Sequence, residues 1–331
     1  MSFANLQDKI DKLRNPSVVG LDPDLAHIPP ELLEKHFTAG GETLDSAALA
    51  VYEFNTGLID ALCDIVPAIK PQSAYYEALG PAGVLVLKKT CDYAREKGMY
   101  VIIDGKRNDI GSTAAAYAAA YLGAVKVGGT ELSPFNADAL TVNAYLGSDG
   151  IKPFIDAAVR FDKAVFALVR TSNPSAGELQ DLCAGAGQGD GSSAPRGKGT
   201  VLPPRGAEEP SPCPAGKKLY TAVGDLMEQI SAETVDRCGY TCVGAVVGAT
   251  YPEEMKFLRD RLKHTFFLVP GYGAQGGGAA DAALAFDANG KGAIVNSSRA
   301  IIAAWKVTGT GYAAAAREEA IKMRDELCKI F

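Results

Sequence analysis

Several features that mark whole classes of protein are missing from this sequence. No run approaches the roughly 18 consecutive apolar residues of a membrane-spanning helix, and the N-terminal stretch is polar and acidic where a signal peptide would be apolar. The formal net charge is −6 and long Lys/Arg runs are absent, which argues against non-specific binding to nucleic acid. The sequence therefore predicts a cytoplasmic protein with a small-molecule ligand, and neither membrane nor nucleic acid as a partner.

Metal ligands and a disulfide framework are also lacking. Only three histidines are present, and Cys238-Gly-Tyr-Thr-Cys242 has no second ligand pair, so an obvious zinc site is absent from the pattern. The seven cysteines are scattered through 331 residues, unlike the regular spacing of a small disulfide-stapled domain. We therefore expect reduced thiols and no structural metal.

Eight short apolar runs alternate with helical segments along the chain. Strands that are apolar on both faces and separated by helices are typical of a parallel sheet covered by helices. Eight such units favour a closed (β/α)₈ TIM barrel. The alternative, a doubly wound open sheet, would have a glycine cluster after the first strand, and Leu21-Asp-Pro-Asp-Leu25 has none. The predicted strands are residues 17–22, 66–72, 100–103, 139–143, 164–171, 244–249, 265–270 and 292–296.

One segment, residues 183–216, interrupts this alternation. It is dominated by Gly, Pro and Ser, a composition that buries too little apolar surface to offset its ordering entropy. A domain linker is the competing interpretation, but a predicted helix over 219–237 resumes the strand–helix alternation. We therefore expect one domain, residues 1–331, with a flexible insertion. The other predicted helices span 6–13, 44–62, 80–97, 110–120 and 300–307.

Charged and polar residues collect where the predicted strands end. The third strand leads into Asp104-Gly-Lys-Arg-Asn-Asp109, and because strand side chains alternate, Asp104 and Lys106 can share one face. Taken alone, the motif could be a surface ion pair of little energetic value. Barrel enzymes, however, carry their active sites at the carboxyl ends of the strands. The other strand ends carry Asp22, Lys70, residues 170–172, Pro270 with Gly271, and residues 297–299.

The last two predicted strand ends suit a phosphate group. A loop with five glycines over 269–278 follows the seventh strand, and Arg299 stands at the start of a predicted helix after the eighth. Barrels bind phosphate at these two loops, beside a helix N-terminus. Gln275 could contact phosphate when the loop closes, or could be a solvated loop residue, and Arg299 could be an ordinary surface arginine.

The motifs together resemble those of the orotidine 5′-phosphate decarboxylase family. The resemblance rests on Asp104-Gly-Lys-Arg-Asn-Asp-Ile110 and extends to Leu21-Asp22, Ile69-Lys70, Thr171-Ser-Asn-Pro174, Pro270-Gly271 with Gln275, and Asn296-Ser-Ser-Arg299. It covers the chain apart from the insertion. It implies a (β/α)₈ homodimer without metal or cofactor that converts orotidine 5′-monophosphate to uridine 5′-monophosphate and carbon dioxide. An association with an orotate phosphoribosyltransferase is left open by the resemblance.

The resemblance also implies a role for each matching residue. Lys70, Asp104, Lys106 and Asp109 would form an alternating charged array, with Asp109, Ile110 and Thr113 coming from the neighbouring subunit. Lys106 would protonate pyrimidine C6, and Asp22 and Lys70 would hold ribose hydroxyls. Ser172 would contact the base, Pro270 would line its pocket, and Gln275 and Arg299 would bind phosphate. Ser298 stands where the family pattern has glycine, and a backbone N–H contact to phosphate would survive that change.

The residue types also fit the chemistry. Loss of carbon dioxide from a ring carbon without an iminium or metal sink leaves a localised carbanion, which a fixed cation can stabilise. Lys106 between carboxylates would supply that cation, because nearby negative charge favours the ammonium form. Two other functions remain open at this point. One is a magnesium-dependent sugar-phosphate decarboxylase or epimerase on the same barrel, and the other is a catalytically silent protein that binds a phosphate ligand.

Overall fold

The computed structural model describes residues 2–184, 217–273 and 277–329. Eight parallel strands form a closed barrel, in the order β1-β2-β3-β6-β7-β10-β11-β12 and back to β1. The barrel closes where Ser17 of the first strand pairs with Val295 of the last. The strands are β1 Ser17–Leu21, β2 Ala68–Pro71, β3 Tyr100–Arg107, β6 Ala139–Val142, β7 Ala164–Arg170, β10 Val243–Val247, β11 Phe267–Val269 and β12 Ala293–Ser297.

The described helices surround the barrel or cover one of its ends. They are α1 Ser2–Leu13, α2 Pro30–Gly40, α3 Leu44–Leu62, α4 Ser73–Glu77, α5 Gly80–Glu96, α6 Gly111–Tyr121, α7 Ser148–Phe161, α8 Gly177–Gln180, α9 Leu219–Ser231, α10 Pro252–Arg261, α11 Ala279–Ala283, α12 Arg299–Ile302, α13 Trp305–Thr308 and α14 Tyr312–Cys328. Across these three stretches of chain, no helix is long and apolar enough to cross a membrane.

The eight predicted strands are confirmed, and alternation of their side chains explains why they are apolar on both faces. Val18 points into the barrel and packs with Phe166 and Leu268, whereas the next residue, Val19, packs in the outer layer between strands and helices. Each strand therefore contributes to two cores at once. The TIM-barrel prediction is correct.

Helix α1 closes the amino-terminal end of the barrel. Phe3, Leu6 and Ile10 recur at helical spacing, are buried, and belong to the inner core. The ring of Phe3 lies 4.9 Å from the ring centroids of both Phe166 and Phe266. Helix α1 does not cover the opposite opening of the barrel, at the carboxyl ends of the strands, where a functional site can form.

Four predicted elements differ from the structure by more than two residues or are divided. Helix α1 begins four residues before its predicted start. Strand β3 continues past Ile103 to Arg107, and helix α9 ends at Ser231, six residues before the predicted end at Arg237. The predicted helix over 300–307 is two short helices, α12 and α13. The second of these begins at Trp305, whose indole N–H donates to the carbonyl of His27 at 3.0 Å.

Two short antiparallel pairs lie outside the barrel. Strands β4 Val125–Val127 and β5 Thr130–Leu132 form an exposed hairpin after α6. Strands β8 Cys183–Ala184 and β9 Lys217–Lys218 pair with each other, so the chain leaves and rejoins the barrel at one place. Beyond those first two residues, the predicted flexible insertion lies outside the described residues.

The expectation of reduced thiols throughout is wrong at Cys183, which is disulfide-bonded. Cysteine spacing in a sequence does not reveal which residues meet in space. The remaining cysteines of the described part of the chain are free thiols, namely Cys63, Cys91, Cys238, Cys242 and Cys328.

Candidate active site

Three charged side chains meet at the carboxyl ends of the neighbouring strands β2 and β3. Nζ of Lys70 lies 2.8 Å from Oδ2 of Asp104, and Nζ of Lys106 lies 2.6 Å from Oδ1 of the same carboxylate. Lys70 and Asp104 are buried, whereas the side chain of Lys106 is 47% exposed. One carboxylate thus holds two ammonium groups, and Lys106 is the one open to a ligand.

Two further side chains complete the hydrogen bonding of Asp104. The hydroxyl of Thr141 donates to Oδ1 at 2.8 Å, and the amide of Gln72 donates to Oδ2 at 2.9 Å. Asp104 therefore accepts four hydrogen bonds from the ends of three adjacent strands, which fixes its position. Sequence reasoning missed both donors, although Gln72 follows Lys70 by two residues and so shares its face of the strand.

Burial and neighbouring charges shift the pKa values of Asp104 and Lys70 in opposite directions. Burial of Asp104 favours the neutral acid, but Lys70 and Lys106 outweigh it and lower the pKa of the carboxyl. Burial of Lys70 favours the neutral amine, but Asp104 and then Asp22 outweigh it and raise the pKa of this lysine. Asp104 and Lys70 are therefore both ionised at neutral pH.

Lys106 adopts a backbone conformation that is uncommon outside glycine. Its φ is +47°, in the left-handed region, and the pairing of β3 with β6 changes register between Ile103 and Arg107. The Lys106 N–H donates to the hydroxyl of Thr141 at 2.9 Å. Thr141 thus holds the backbone of Lys106 and the carboxylate of Asp104 together. Such local strain tends to occur at functional sites.

Two adjoining cavities open beside the cluster, and both are lined by Lys70, Asp104 and Pro270. The first, called here the Arg299 cavity, has a volume of about 470 Å³ and is also lined by Asp22, His27, Gln72, Tyr272, Asn296, Ser298 and Arg299. The second, the Ser172 cavity, has a volume of about 410 Å³ and is also lined by Lys106, Thr141, Leu168, Ser172, Gln180, Val246 and Leu268. The charged cluster therefore stands between a polar cavity and a more apolar one.

Three buried polar atoms without a hydrogen-bond partner in the described part of the chain lie around the Arg299 cavity. Within the described residues, no hydrogen bond is made by Oδ1 of Asp22, Nδ1 of His27 or Oδ1 of Asn296. An unpaired buried polar atom is costly, so three such atoms around one cavity indicate a polar ligand. Sequence reasoning singled out Asp22 but missed His27 and the side chain of Asn296.

Arg299, the predicted phosphate contact, lies at the start of the four-residue helix α12 and lines the Arg299 cavity. Ser298 is the N-cap of α12, and Arg299 is its first residue, with an exposed side chain for which the described part of the chain offers no ion-pair partner. Gly20 makes room for this turn, since a Cβ there would lie 1.8 Å from Oγ of Ser298. A helix start next to an arginine can hold an anion.

The predicted base contact, Ser172, follows strand β7 and lines the cavity named after it. Its position depends on Gly248, because a Cβ at that glycine would lie 2.8 Å from Cβ of Ser172 and 3.0 Å from its N. Pro270, at the end of β11, contributes to both cavities. The structure therefore brings Ser172 and Pro270 to the same site as Lys106.

Three predicted site residues do not reach this cluster within one chain. Asp109 and Thr113 line neither cavity, and Oδ1 of Asp109 accepts a hydrogen bond from the N–H of Ile110 next to it. Ile110 is 56% exposed and Thr113 is exposed. Gln275, the predicted phosphate contact in the glycine-rich loop, lies outside the described residues.

Comparison with known proteins shows to which protein family this chain belongs. Residues 36–190 match the model of the orotidine 5′-phosphate decarboxylase / HUMPS family. The orotidine 5′-phosphate decarboxylase of Rhodopirellula baltica is 41% identical over 335 residues, which cover 99% of this chain and 99% of that protein. The chain belongs to the orotidine 5′-phosphate decarboxylase family.

Solved structures agree with this family membership. The OMP decarboxylase of Leishmania donovani has 27% identity and a TM-score of 0.68, with 99% of each chain covered. The UMP synthase of the same organism has 29% identity and a TM-score of 0.67, and the match covers 98% of this chain but 55% of that one. The fold of this chain is therefore the barrel of the family.

The described side chains also bear on metal binding. Within residues 2–184, 217–273 and 277–329, no group of three or more His, Cys, Asp or Glu side chains is arranged to hold a metal ion. The carboxylate of Asp104, which a metal could otherwise use, is fully engaged by Lys70, Lys106, Thr141 and Gln72. The cluster itself presents two ammonium groups, those of Lys70 and Lys106, beside the adjoining cavities.

Proposed function

We propose that this chain catalyses the decarboxylation of orotidine 5′-monophosphate to uridine 5′-monophosphate and carbon dioxide, the last step of pyrimidine nucleotide synthesis. The observation that carries the proposal is the Lys70–Asp104–Lys106 cluster, placed between two cavities at the carboxyl end of the barrel. Family membership and the full-length match to a decarboxylase support it.

In the proposed reaction, the bond between C6 of the pyrimidine and the carboxylate carbon breaks, and its electron pair stays on C6. The ammonium group of Lys106 stabilises this charge and then gives its proton to C6. A cation already fixed in place costs no reorganisation during the reaction, which is the main advantage of electrostatic catalysis. Asp104 and Lys70 are the proposed positioning charges, because both are buried and hydrogen-bonded to each other.

The two cavities suggest how the substrate is divided. The apolar side chains and Ser172 of the Ser172 cavity suit a pyrimidine, with Pro270 between base and sugar. The unpaired atoms of the Arg299 cavity suit a sugar phosphate. There, Asp22 and Lys70 would hold ribose hydroxyls, and Arg299, the N–H of Ser298 and Gln275 would bind phosphate. Binding at the remote phosphate would position the reacting carbon.

Completion of the site by a second subunit is part of the proposal. Ile110 and Thr113 are exposed at the start of α6, and the half-buried Asp109 lies just before it. This placement suits contribution to the site of a neighbouring chain in a homodimer. Exposed apolar side chains on the adjacent hairpin β4–β5, Val127 and Leu132, are compatible with such a contact. Association with an orotate phosphoribosyltransferase and a cytoplasmic location stay predictions.

A single-domain organisation over residues 1–331 is also proposed. It is supported by one closed barrel whose first and last strands, Ser17–Leu21 and Ala293–Ser297, pair with each other. The chain that carries the insertion leaves and rejoins the barrel at the paired residues Cys183 and Lys218. A linker between two domains would not need to return to its starting point.

The test is an assay of the purified protein with orotidine 5′-monophosphate in excess EDTA, followed by the ultraviolet absorbance of the orotate ring. We expect steady loss of substrate and formation of uridine 5′-monophosphate. No loss of substrate would sink the proposed function. No turnover of orotidine 5′-monophosphate, together with magnesium-dependent turnover of a sugar phosphate, would instead favour a metal-dependent sugar-phosphate enzyme on the same barrel.

A further inference from the structure

A third cavity adjoins the Ser172 cavity. It has a volume of about 300 Å³ and is called here the Tyr220 cavity. Its lining is largely apolar and includes Val169, Leu179, Tyr220 and Val223. Two side chains line both this cavity and the Ser172 cavity, namely Leu168 and Gln180. These two side chains therefore form the partition between the proposed pyrimidine site and an apolar space beside it.

The amide of Gln180 is held in one orientation by Thr171. Oε1 of Gln180 accepts a hydrogen bond from the backbone N–H of Thr171 at 3.0 Å, and Nε2 donates to the Thr171 hydroxyl at 2.7 Å. A backbone N–H can only donate, so the amide oxygen must face it. Thr171 immediately precedes Ser172, and the partition and the proposed base contact are thus fixed to each other.

The end of α8, where Gln180 lies, is anchored from the other side as well. The next residue, Asp181, accepts a hydrogen bond from Nη2 of Arg170 at 3.2 Å and pairs with Lys218 at 3.3 Å. Arg170 is 2% exposed, and its guanidinium lies 4.0 Å from the centroid of the Tyr251 ring. The side chain of Gln180 is therefore held in place by contacts on both sides of the end of α8.

We propose that Gln180 is a specificity-determining residue, which separates the Ser172 cavity from the Tyr220 cavity and so excludes pyrimidine nucleotides with a bulky apolar group on the base. This inference rests on the proposed function, because it assigns the Ser172 cavity to the pyrimidine. Removal of the Gln180 side chain beyond Cβ would join the two cavities. An apolar substituent could then leave water and pack among Leu179, Tyr220 and Val223.

The test measures binding by calorimetry to the full chain and to Gln180→Ala, with three ligands: uridine 5′-monophosphate and its derivatives with a phenyl group at C5 or a benzyl group at N3. For Gln180→Ala, we expect the affinity for at least one derivative, relative to uridine 5′-monophosphate, to rise about tenfold or more, as burial of a phenyl group allows. An unchanged ratio for both derivatives would overturn the inference.

Two matched variants distinguish the steric effect of the Gln180 side chain from the effect of its hydrogen bonds to Thr171. Gln180→Met keeps the volume but loses both bonds to Thr171, and we expect it to exclude the derivatives as the original protein does. Leu179→Ala enlarges the Tyr220 cavity without opening the partition, and it should not admit them either. Admission of a derivative by either variant would count against a wall at Gln180. If Gln180→Ala fails to fold, Gln180→Ser provides the same opening.

The experiments distinguish an error in this inference from an error in the proposed function. If the original protein decarboxylates orotidine 5′-monophosphate in EDTA and Gln180→Ala keeps the original selectivity, only the role of Gln180 is wrong. If the original protein neither turns over orotidine 5′-monophosphate nor binds uridine 5′-monophosphate, the proposed function is wrong and this inference falls with it.

Discussion

The ammonium group of Lys106 lies 2.6 Å from Oδ1 of Asp104. Only Gly105 separates the two residues in the chain, so their side chains share one face of the strand. Lys106 has a left-handed backbone, and Thr141 is hydrogen-bonded to both the Lys106 N–H and the Asp104 carboxylate. Asp104 is also held by buried Lys70. The position of the Lys106 charge is therefore set before any ligand arrives, which is what electrostatic catalysis of a charge-forming step requires.

Replacement of Lys106 by alanine should abolish turnover and leave the fold intact. The variant loses both the cation beside C6 and the proton donor, and each effect is typically worth about 10²–10³-fold or more. We expect kcat to fall at least about 10³-fold, with an unchanged circular dichroism spectrum. Lys152→Ala, at an exposed position on α7, is the matched control and should stay active. Retained activity in Lys106→Ala would remove the assigned proton donor.

Replacement of Asp104 by asparagine should destabilise the protein in a pH-dependent way. Lys70 would lose its hydrogen-bonded counter-ion in a buried position, and breaking a buried pair costs about 3–5 kcal/mol. The pKa of Asp104 is lowered in the fold, so its carboxylate stabilises the protein above the unfolded-chain pKa of about 3.9. This contribution is lost as the pH falls below that value toward the folded-state pKa.

Urea unfolding of both proteins between about pH 7 and pH 3 checks this linkage. The difference in unfolding free energy should be largest near neutral pH and should shrink in acid. Asp260→Asn is the control, since the ion pair that this exposed carboxylate makes within the described residues is with Lys256 on the same helix, and it should change stability little. A difference for Asp104→Asn that is constant with pH would contradict the assigned ion pairs.

Mixing of two inactive variants tests whether the site is shared between subunits. If Lys106 comes from one subunit and Asp109 from the other, a heterodimer of Lys106→Ala and Asp109→Ala contains one intact site and one doubly defective site. After denaturation and joint refolding at equal amounts, we expect activity from about one quarter of the sites. Mixtures with no more activity than the separate variants would show that Asp109 does not complete the neighbour's site.

Replacement of Arg299 by alanine should weaken phosphate binding selectively. A hydrogen bond to a charged group is worth about 1.5–3 kcal/mol, so uridine 5′-monophosphate should bind about 10–100-fold more weakly, whereas uridine should bind as before. Calorimetry with both ligands measures the difference. Arg160→Ala, at an exposed position on α7, should leave both affinities unchanged. Equal weakening for nucleotide and nucleoside would argue against a phosphate contact.

Local sequence pattern was enough to predict the barrel and its charged centre. Apolar runs alternating with helices identify the strands, and the rule that barrel sites lie at strand ends then brings Asp22, Lys70 and Asp104 together. The predicted helix over 44–62 has the bounds of α3, because its apolar residues recur at helical spacing. These features depend on residues that are close in the chain.

The remaining features depend on contacts between distant residues. Thr141 accepts a hydrogen bond from the left-handed backbone of Lys106, and His27 accepts one from the side chain of Trp305 at the start of α13. Neither contact leaves a mark in the local pattern around Lys106 or Trp305. Likewise, Gln180 becomes a partition only because α8 folds back onto Thr171.

Helix α1 offers a test of stability at the end of the barrel opposite the site. Phe3 is 1% exposed and packs on Phe166 and Phe266, so Phe3→Ala should lower the unfolding free energy by about 3–5 kcal/mol. Phe257→Ala is the control, since Phe257 is 46% exposed on α10, and its effect should stay within about 1 kcal/mol. Urea unfolding measures both. The folded fraction of Phe3→Ala should keep its kcat, because no residue of α1 lines either cavity of the site. If Phe3→Ala changed the unfolding free energy by less than about 1 kcal/mol, α1 would not close the barrel core.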